Sequence, residues 1–261
     1  MIIPLYFEIK LNIMPPYDQA YQNAAASVSA TCSYLYLNKE TIPADFHTVI
    51  YLCDTDAAIL RYQSAGFPVI AVSHEGNHSE SLMKTPWLIL SAEALTTDFL
   101  LEIYCRHHQL PLFLFSTARC YVRELSEQDL SSLLLLQTEN CTNPENVFFP
   151  AACENPAAFL TNYIHHQYPF FGFGLYAILE TATNCFMGIA GFSSATDFEA
   201  EVSYALLQKY QKQGYAEEVV RPLLIYGKKQ NGFKQFVARI RQENISSLLL
   251  AKKCDIPIII E

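Results

Sequence analysis

Up to about Ser116, short apolar runs rich in β-branched residues alternate with stretches of helical periodicity. The pattern predicts strands over 34–37, 48–53, 68–73 and 87–91, and helices over 18–29, 57–65 and 97–108. Strands that alternate with helices are typical of βαβ units on a parallel sheet. We therefore predict a small α/β domain with a parallel sheet at the beginning of the chain.

From Arg119 onward the pattern changes to two helical stretches followed by three strands at hairpin spacing. The expected strands cover 120–124, 174–179, 185–192, 199–207, 236–240 and 256–260, and the expected helices begin near 126, 155, 215 and 246. The helix near 126 starts at Ser126-Glu-Gln-Asp129, which is similar to a capping box. This change of pattern predicts two domains, 1–117 and 118–261.

One turn in the second domain has a distinctive form. An apolar strand ends at Leu207, a polar turn follows, and Gly214 then opens an amphipathic helix. The first N–H groups of a helix have no intrahelical acceptor and point the same way, so such a turn can bind a phosphate or a pyrophosphate. Taken alone, the turn predicts only an anion site.

Composition excludes several classes of protein. The chain is 51% hydrophobic and 16% charged, which is typical of a globular protein rather than a disordered one. Its net charge is −9 and it has no cluster of Lys and Arg, so we expect no nucleic-acid partner, whereas a cationic amine suits an acidic surface. The eight cysteines lie far apart without a C-x-x-C pair, which indicates reduced thiols, many of them packed as small core side chains.

Nothing in the pattern predicts a membrane partner. The first residues carry an acid at Glu8 and no basic stretch before the apolar run, unlike a signal peptide. The longest apolar runs, such as 110–115 and 133–136, are too short to span a bilayer. We therefore expect a soluble, cytoplasmic protein.

Five segments, in order, resemble the GNAT superfamily of acetyl-CoA-dependent N-acetyltransferases over about residues 119–261. They are Met-Gly-Ile-Ala-Gly-Phe at 187–192, Ala-Glu-Val-Ser-Tyr-Ala-Leu-Leu at 200–207, the spacing Gln-x-x-Gly-x-Ala at 211–216, the strand at 236–240, and Glu-Asn-x-x-Ser at 243–247. The last is similar to the ribosomal-protein alanine acetyltransferase branch. The resemblance implies the GNAT fold, an α/β protein in the broad sense whose α+β architecture has a central mixed, mostly antiparallel sheet. It also implies that acetyl-CoA is the cosubstrate and that no metal is needed.

The resemblance also implies a binding site for CoA. Main-chain N–H groups of one loop would bind the pyrophosphate, namely those of Gln211, Lys212, Gln213, Gly214, Tyr215 and Ala216. The pantetheine arm would pair with the main chain of Tyr204, Ala205 and Leu206, and Asn244 and Ser247 would reach it from the next helix. Asn244 and Ser247 are equally suited to cap that helix, and the two roles can coexist.

The catalytic side of the resemblance is less complete. Glu201 matches the strand glutamate that similar histone acetyltransferases use as general base, although a solvated strand glutamate is the alternative. Ala205 aligns with the position whose N–H polarises the thioester carbonyl. No tyrosine occurs in 248–253, where many members carry a general acid, and Tyr204 and Tyr215 read as packing residues. Glu217 departs from the family pattern because it places an acid beside the phosphate loop.

Three functions remain open. The first is transfer of acetyl from acetyl-CoA by direct attack of a primary amine, on a small molecule or at the N-terminus of a protein or peptide; a homodimer is compatible with it. The second is a GNAT-like module that binds acyl-CoA without turnover. The third is a phosphatase-like activity of the first domain, where Asp54-Thr-Asp56 follows a strand; a turn and helix cap explain these residues as well, and we expect the first domain, Rossmann-like or similar to haloacid-dehalogenase-type phosphatases, to be a non-catalytic partner domain. The histidines lack metal-ligand spacing, and no metal site is expected.

Overall fold

The computed structural model describes residues 2–28, 32–35, 47–140, 148–150, 153–196 and 198–260. The chain divides into two compact units, Met1–Leu110 and Pro111–Glu261. The boundary predicted from the sequence lies a few residues later, because the pattern does not predict the strand at Phe113–Ser116. That strand pairs with Cys120–Glu124 and so belongs to the sheet of the second unit.

The first unit is built on a five-stranded sheet. Its elements are β1 (Ile2–Asn12), α1 (Asp18–Val28), β2 (Cys32–Leu35), β3 (His47–Cys53), α2 (Asp56–Ser64), β4 (Val69–Val72), β5 (Leu88–Ile89) and α3 (Thr97–His107). The strand order is β2-β1-β3-β4-β5, and every neighbouring pair is parallel except β1 with β2. The prediction of an α/β unit with a parallel sheet is confirmed, and residues 36–37 of the predicted second strand lie outside the described part of the chain.

The long strand β1 is missing from the sequence prediction. A proline cannot donate a ladder hydrogen bond, so Pro4 argues against a central strand. In the structure Pro4 lies opposite Ser33 of β2, whereas the parallel ladder with β3 begins only at the pair Tyr6↔His47. The proline is tolerated because, among the described residues, its part of β1 is paired on one side only.

The second unit is built on a seven-stranded sheet. Its elements are β6 (Phe113–Ser116), β7 (Cys120–Glu124), α4 (Leu130–Glu139), α5 (Pro156–Phe171), β8 (Leu175–Glu180), β9 (Phe186–Thr196), β10 (Glu199–Leu206), α6 (Tyr215–Gln230), β11 (Gln235–Ile240), α7 (Ile245–Lys253) and β12 (Ile258–Ile260). The strand order is β12-β11-β10-β9-β8-β7-β6. Each neighbouring pair from β6 to β10 is antiparallel, whereas β11 runs parallel to both β10 and β12. The predicted mixed, mostly antiparallel sheet is confirmed.

Helix α6 packs closely on this sheet and carries the predicted turn at its N-terminus. Val219, Val220 and Leu223 on α6 are fully buried, and each side chain of this size contributes about 1.5–3 kcal/mol on burial. A Cβ added at Gly227 would lie 2.7 Å from Cζ of Phe192 on β9, so the glycine lets the helix approach the sheet. The helix is thereby held with its first turn beyond the carboxyl end of β10.

Candidate functional site

Strands β10 and β11 separate partway along their length and leave a cleft. Their pairing runs only from Glu199↔Gln235 to Glu201↔Val237. Beyond this fork β10 continues to pair with β9 as far as Leu206, and β11 pairs with β12 on its other side. The cleft holds about 330 Å³ of empty space, counting the part open to solvent. Its lining comprises Glu201, Val202, Ser203, Tyr204, Ala238, Arg239, Ile240, Asn244 and Ser247.

The register of β10 decides which main-chain groups face this cleft. The N–H of Leu207 donates to the carbonyl of Met187 at 2.9 Å, and Ala205 lies opposite Ile189. Hydrogen-bonded pairs alternate along an antiparallel ladder, so the N–H of Ala205 points to β9, while the main-chain groups of Tyr204 and Leu206 point to the cleft. The roles expected for the main chain of Ala205, in polarising a thioester and pairing with the arm, are therefore corrected: β9 already takes that N–H.

The predicted anion-binding turn has the expected form. A short 3-10 turn over Gln208–Tyr210 follows β10, and α6 begins at Tyr215, directly after Gly214. Lys212 and Gly214 both adopt positive φ, 59° and 83°, and Gly214 is the residue type suited to that conformation. No side chain in the described part of the chain caps α6, so the N–H groups of its first turn, including that of Ala216, are available to an anion.

Two glutamine side chains hold the shape of the turn, one by bonding to the end of β10 and the other by bonding within the turn. The Nε2 of Gln211 donates to the carbonyl of Leu206 at 2.8 Å, and the Nε2 of Gln213 donates to the carbonyl of Lys209 at 2.6 Å. Both side chains are used to shape the loop, and the N–H of Gln211 is engaged as well, since it donates to the carbonyl of Gln208 at 3.1 Å.

Arg119 is a functional candidate that the sequence does not reveal. It lies just before β7, and its guanidinium contacts Glu218 of α6 at 2.7 Å and the carbonyl of Gln213 at 3.2 Å. The guanidinium also lies 3.9 Å from the ring centre of Tyr215. The contacts span more than ninety residues of sequence, and no local motif signals them.

The acidic residues at the start of α6 are neutralised by cations. Glu217 pairs with Arg221 at 3.0 Å and with Lys253 at 3.3 Å. The hydrogen bond from Arg221, followed by that from Lys253, lowers the pKa of Glu217. The negative charge that departs from the family pattern is therefore balanced by neighbouring cations.

Asn244 caps α7 and keeps a free donor. Its Oδ1 accepts from the N–H of Ser247 at 3.2 Å, so the capping role is confirmed. Its Nδ2 and the hydroxyl of Ser247 make no hydrogen bond to the described residues, and both residues line the cleft. Capping uses the acceptor of Asn244, so its donor can serve a ligand.

Tyr204 crosses the cleft from β10 to α7. Its hydroxyl donates to the carbonyl of Ser247 at 3.1 Å. Burial raises the pKa of Tyr204 to about 12. The side chain is thus an anchor between the two walls, which agrees with its reading as a packing residue.

Glu201 stands at the fork, where the two strands part. Its Oε2 lies 3.2 Å from Nε of Arg239 on β11, and its side chain is 26% exposed. The carboxylate therefore lines the cleft, with one oxygen held in an ion pair. This placement fits a base at the inner end of the cleft, and it also fits a solvated strand glutamate.

The aspartates of the first unit are occupied by structural contacts. Oδ2 of Asp54 accepts from the N–H of Met14 at 2.7 Å and lies 3.1 Å from Nε2 of His74. Asp56 accepts from the main-chain N–H groups of 81 and 82 at 3.2 and 3.0 Å. These carboxylates fasten the loops at the carboxyl edge of the sheet, which favours the turn reading over a phosphatase site.

The described residues contain neither a candidate metal cluster nor a membrane-spanning helix. No group of three or more His, Cys, Asp or Glu side chains there is arranged to hold a metal ion. No helix in the described ranges is long and apolar enough to cross a membrane.

Residues 119–256 match the family model described as acetyltransferase (GNAT) domain. Solved structures with a similar fold include a GNAT-family acetyltransferase from Bacillus anthracis, at 20% identity and a TM-score of 0.45, covering 55% of this chain and 82% of that one. Another, from Salmonella typhimurium, is described as modifying the N-terminal serine of 50S ribosomal subunit protein L7/L12; it shows 17% identity, a TM-score of 0.47, and coverage of 55% and 83%. The ribosomal-protein-S5-alanine acetyltransferase from Vibrio fischeri shows 13% identity, a TM-score of 0.45, and coverage of 55% and 81%. The family model covers more than half of the chain, and the chain therefore belongs to the GNAT family of acetyl-CoA-dependent N-acetyltransferases.

Proposed function

We propose that the cleft between β10 and β11 binds acetyl-CoA and that a primary amine attacks the acetyl group there directly, in a ternary complex. The observation that carries this proposal is the arrangement along β10. The anion-binding turn follows its carboxyl end, and the fork at Glu201 lies at the inner end of the cleft. Position 206 is five steps along an extended strand from 201, or about 16 Å, which suits an extended arm between a pyrophosphate and a thioester.

The proposal assigns binding roles along this path. The N–H groups of the loop from Lys212 to Ala216 take the pyrophosphate, assisted by the partial positive charge at the start of α6. The N–H of Gln211 is excluded from this role because it donates to the carbonyl of Gln208 at 3.1 Å. The main chain of Tyr204 pairs with the arm, and the free amide donor of Asn244 and the hydroxyl of Ser247 contact it from α7. At Leu206 the carbonyl is already held by Gln211, so its N–H is the group left for the arm.

The chemistry requires a neutral amine and a polarised thioester carbonyl. Glu201 is the proposed base, acting directly or through a water, since its carboxylate lines the cleft at the fork. The main chain of Tyr204 replaces that of Ala205 as the group nearest the thioester carbonyl, because it faces the cleft. The leaving thiolate takes its proton from water in this scheme.

The acceptor is proposed as a primary amine, either on a small molecule or at the N-terminus of a protein or peptide. The acidic balance of the chain suits a cationic amine. We place the reaction in the cytoplasm, in keeping with the buried cysteines Cys53, Cys105, Cys120 and Cys254, none of which forms a disulfide with a described residue.

Binding without turnover is the second candidate, and the ion pair between Glu201 and Arg239 favours it because it occupies one oxygen of the proposed base. Titration calorimetry with CoA tests both candidates, since absence of binding at millimolar CoA would contradict both. Release of free thiol from acetyl-CoA, across panels of amines and peptides, separates them. Glu201→Gln should lower turnover and leave CoA affinity unchanged, whereas Glu199→Gln on the same strand should change neither. If the Glu201→Gln variant released thiol from acetyl-CoA as fast as the wild-type protein, Glu201 would not be the base.

A further inference from the structure

The segment before β7 is fastened to the first turn of α6 by three contacts to one carboxylate. The hydroxyl of Thr117 and the N–H of Arg119 donate to Oε1 of Glu218 at 2.7 and 2.8 Å. The Nε of Arg119 donates to Oε2 at 2.7 Å. Burial is the largest single influence and would raise the pKa of Glu218, but these hydrogen bonds together lower it. Glu218 is therefore an ionised anchor for the arginine.

The guanidinium of Arg119 also contacts the loop that precedes α6. Both of its terminal nitrogens donate to the carbonyl of Gln213 at 3.2 Å. The planar fork of an arginine can hold a carboxylate and a carbonyl at once, which the single ammonium of a lysine cannot reproduce. The result is a strap, formed by Thr117, Arg119 and Glu218, that joins the loop to α6.

The strap determines the direction of an N–H group in the loop. In a trans peptide the C=O and the N–H of one plane point in opposite directions. Holding the carbonyl of Gln213 on Arg119 therefore turns the N–H of Gly214 away from the guanidinium. Positive φ at Lys212 and Gly214 on either side produces the alternation that makes successive N–H groups converge on an anion.

We propose that Arg119 is a positioning residue, which sets the Gln213–Gly214 peptide so that the loop N–H groups converge on the pyrophosphate of CoA, without itself contacting the ligand's phosphates. The inference rests on the proposed function, since it takes CoA as the ligand. Its charge is already balanced by Glu218 and its donors are engaged with Glu218 and Gln213. Arg119 acts through main-chain geometry.

The chain offers a matched control for this arginine. Arg221 is 50% exposed against 45% for Arg119, pairs with Glu217 of the same helical turn, and also donates to a main-chain carbonyl, that of Lys253. Its carbonyl partner lies at the end of α7 and not in the loop. Arg221→Met thus removes a comparable set of contacts without releasing the Gln213 peptide.

The test is titration calorimetry with CoA and with dephospho-CoA, which lacks the 3′-phosphate but keeps the pyrophosphate. Arg119→Met should weaken both ligands by about tenfold, and Arg119→Lys by nearly as much, because the loss is one of geometry rather than charge. Arg221→Met leaves Glu217 paired with Lys253 and the Gln213 peptide in place, so it should weaken both ligands far less than Arg119→Met does. Thermal unfolding of each variant measures the stability lost with the contacts, which should be similar for the two Met variants.

Each other outcome has a defined meaning. Unchanged affinity in Arg119→Met, or full recovery in Arg119→Lys, would overturn the inference. A loss confined to CoA would also overturn it, since it would show contact with the 3′-phosphate. Should Arg119→Met fail to fold, Glu218→Gln carries the test, with weakening of both ligands expected. A wild-type protein that binds neither ligand would refute the proposed function instead.

Discussion

Substitution of Gly214 by alanine should affect the stability of the protein and its affinity for CoA to different extents. Gly214 adopts a φ of 83°, a left-handed conformation that costs a residue with a Cβ about 1–2 kcal/mol. Alanine also lowers the conformational entropy of the unfolded chain, which stabilises the folded state by about 0.4–1 kcal/mol. The net loss of unfolding free energy is then about 1 kcal/mol, or a fall in Tm of about 2–4 °C for a unit of this size.

The effect on binding should be larger than the effect on stability. Among the described residues, the added Cβ would meet Nη2 of Arg119 alone, at 3.6 Å, which is an ordinary contact that the protein accommodates. The remaining space beside it is where we place the pyrophosphate, whose close approach to the backbone a methyl group prevents. We expect CoA affinity to fall by at least about tenfold.

Gly232 provides the control, because it has a φ of 74° and its added Cβ would meet no atom of the described part of the chain within 4 Å. Gly232→Ala should lose similar stability in thermal unfolding and keep full CoA affinity in calorimetry. If the two variants bound CoA equally well, the placement of the pyrophosphate on this loop would be refuted.

Three further predictions concern the walls of the cleft. Asn244→Ala should lose about 1 kcal/mol of unfolding free energy, because the α7 cap is removed, and should also bind CoA more weakly. Asn244→Asp keeps the capping oxygen and should lose CoA affinity only. Equal effects of the two variants on CoA binding and on unfolding would contradict the dual role. Gly188→Ala places a Cβ 2.1 Å from the carbonyl oxygen of Ala205, so β10 must shift; we expect a loss of about 1–3 kcal/mol in urea unfolding, and wild-type stability would disprove the register. Burial raises the pKa of Tyr204 to about 12, so its contribution to stability is present below the unfolded pKa of about 10 and is lost as pH rises toward 12. Urea unfolding at about pH 9 and about pH 11 should show a smaller fall for Tyr204→Phe than for wild type, and equal falls would contradict the assignment.

The anion-binding turn could be predicted because its signals are local. A strand, a polar turn and a glycine before a helix are neighbours in sequence, and the structure begins α6 directly after Gly214, with positive φ at that residue. The capping role of Asn244 is local for the same reason.

The register of β10 could not be predicted, because a strand pattern does not say which neighbour takes each N–H. The pair Ala205↔Ile189 turns Ala205 toward β9, and a shift of one residue would have turned it toward the cleft. Arg119 escaped prediction for a related reason: its partners Gln213 and Glu218 are brought to it only by the packing of α6 beside β7.

In the first unit the D-x-D motif could not be interpreted from sequence alone. A strand followed by two aspartates is compatible with catalysis and with a turn. The contacts of Asp54 with the N–H of Met14 and with His74 decide between the two readings. The contact with Met14 could not be foreseen, because Met14 follows strand β1, which the sequence pattern does not predict.

The central claim is that the fork between β10 and β11 and the turn before α6 form one binding path for acetyl-CoA. A crystal structure of the protein with CoA tests it most directly. We predict the pyrophosphate on the N–H groups at the start of α6, with the pantetheine arm between β10 and β11 and hydrogen-bonded to the main chain of Tyr204. CoA bound elsewhere, or an arm that leaves the fork at Glu201 empty, would contradict the account.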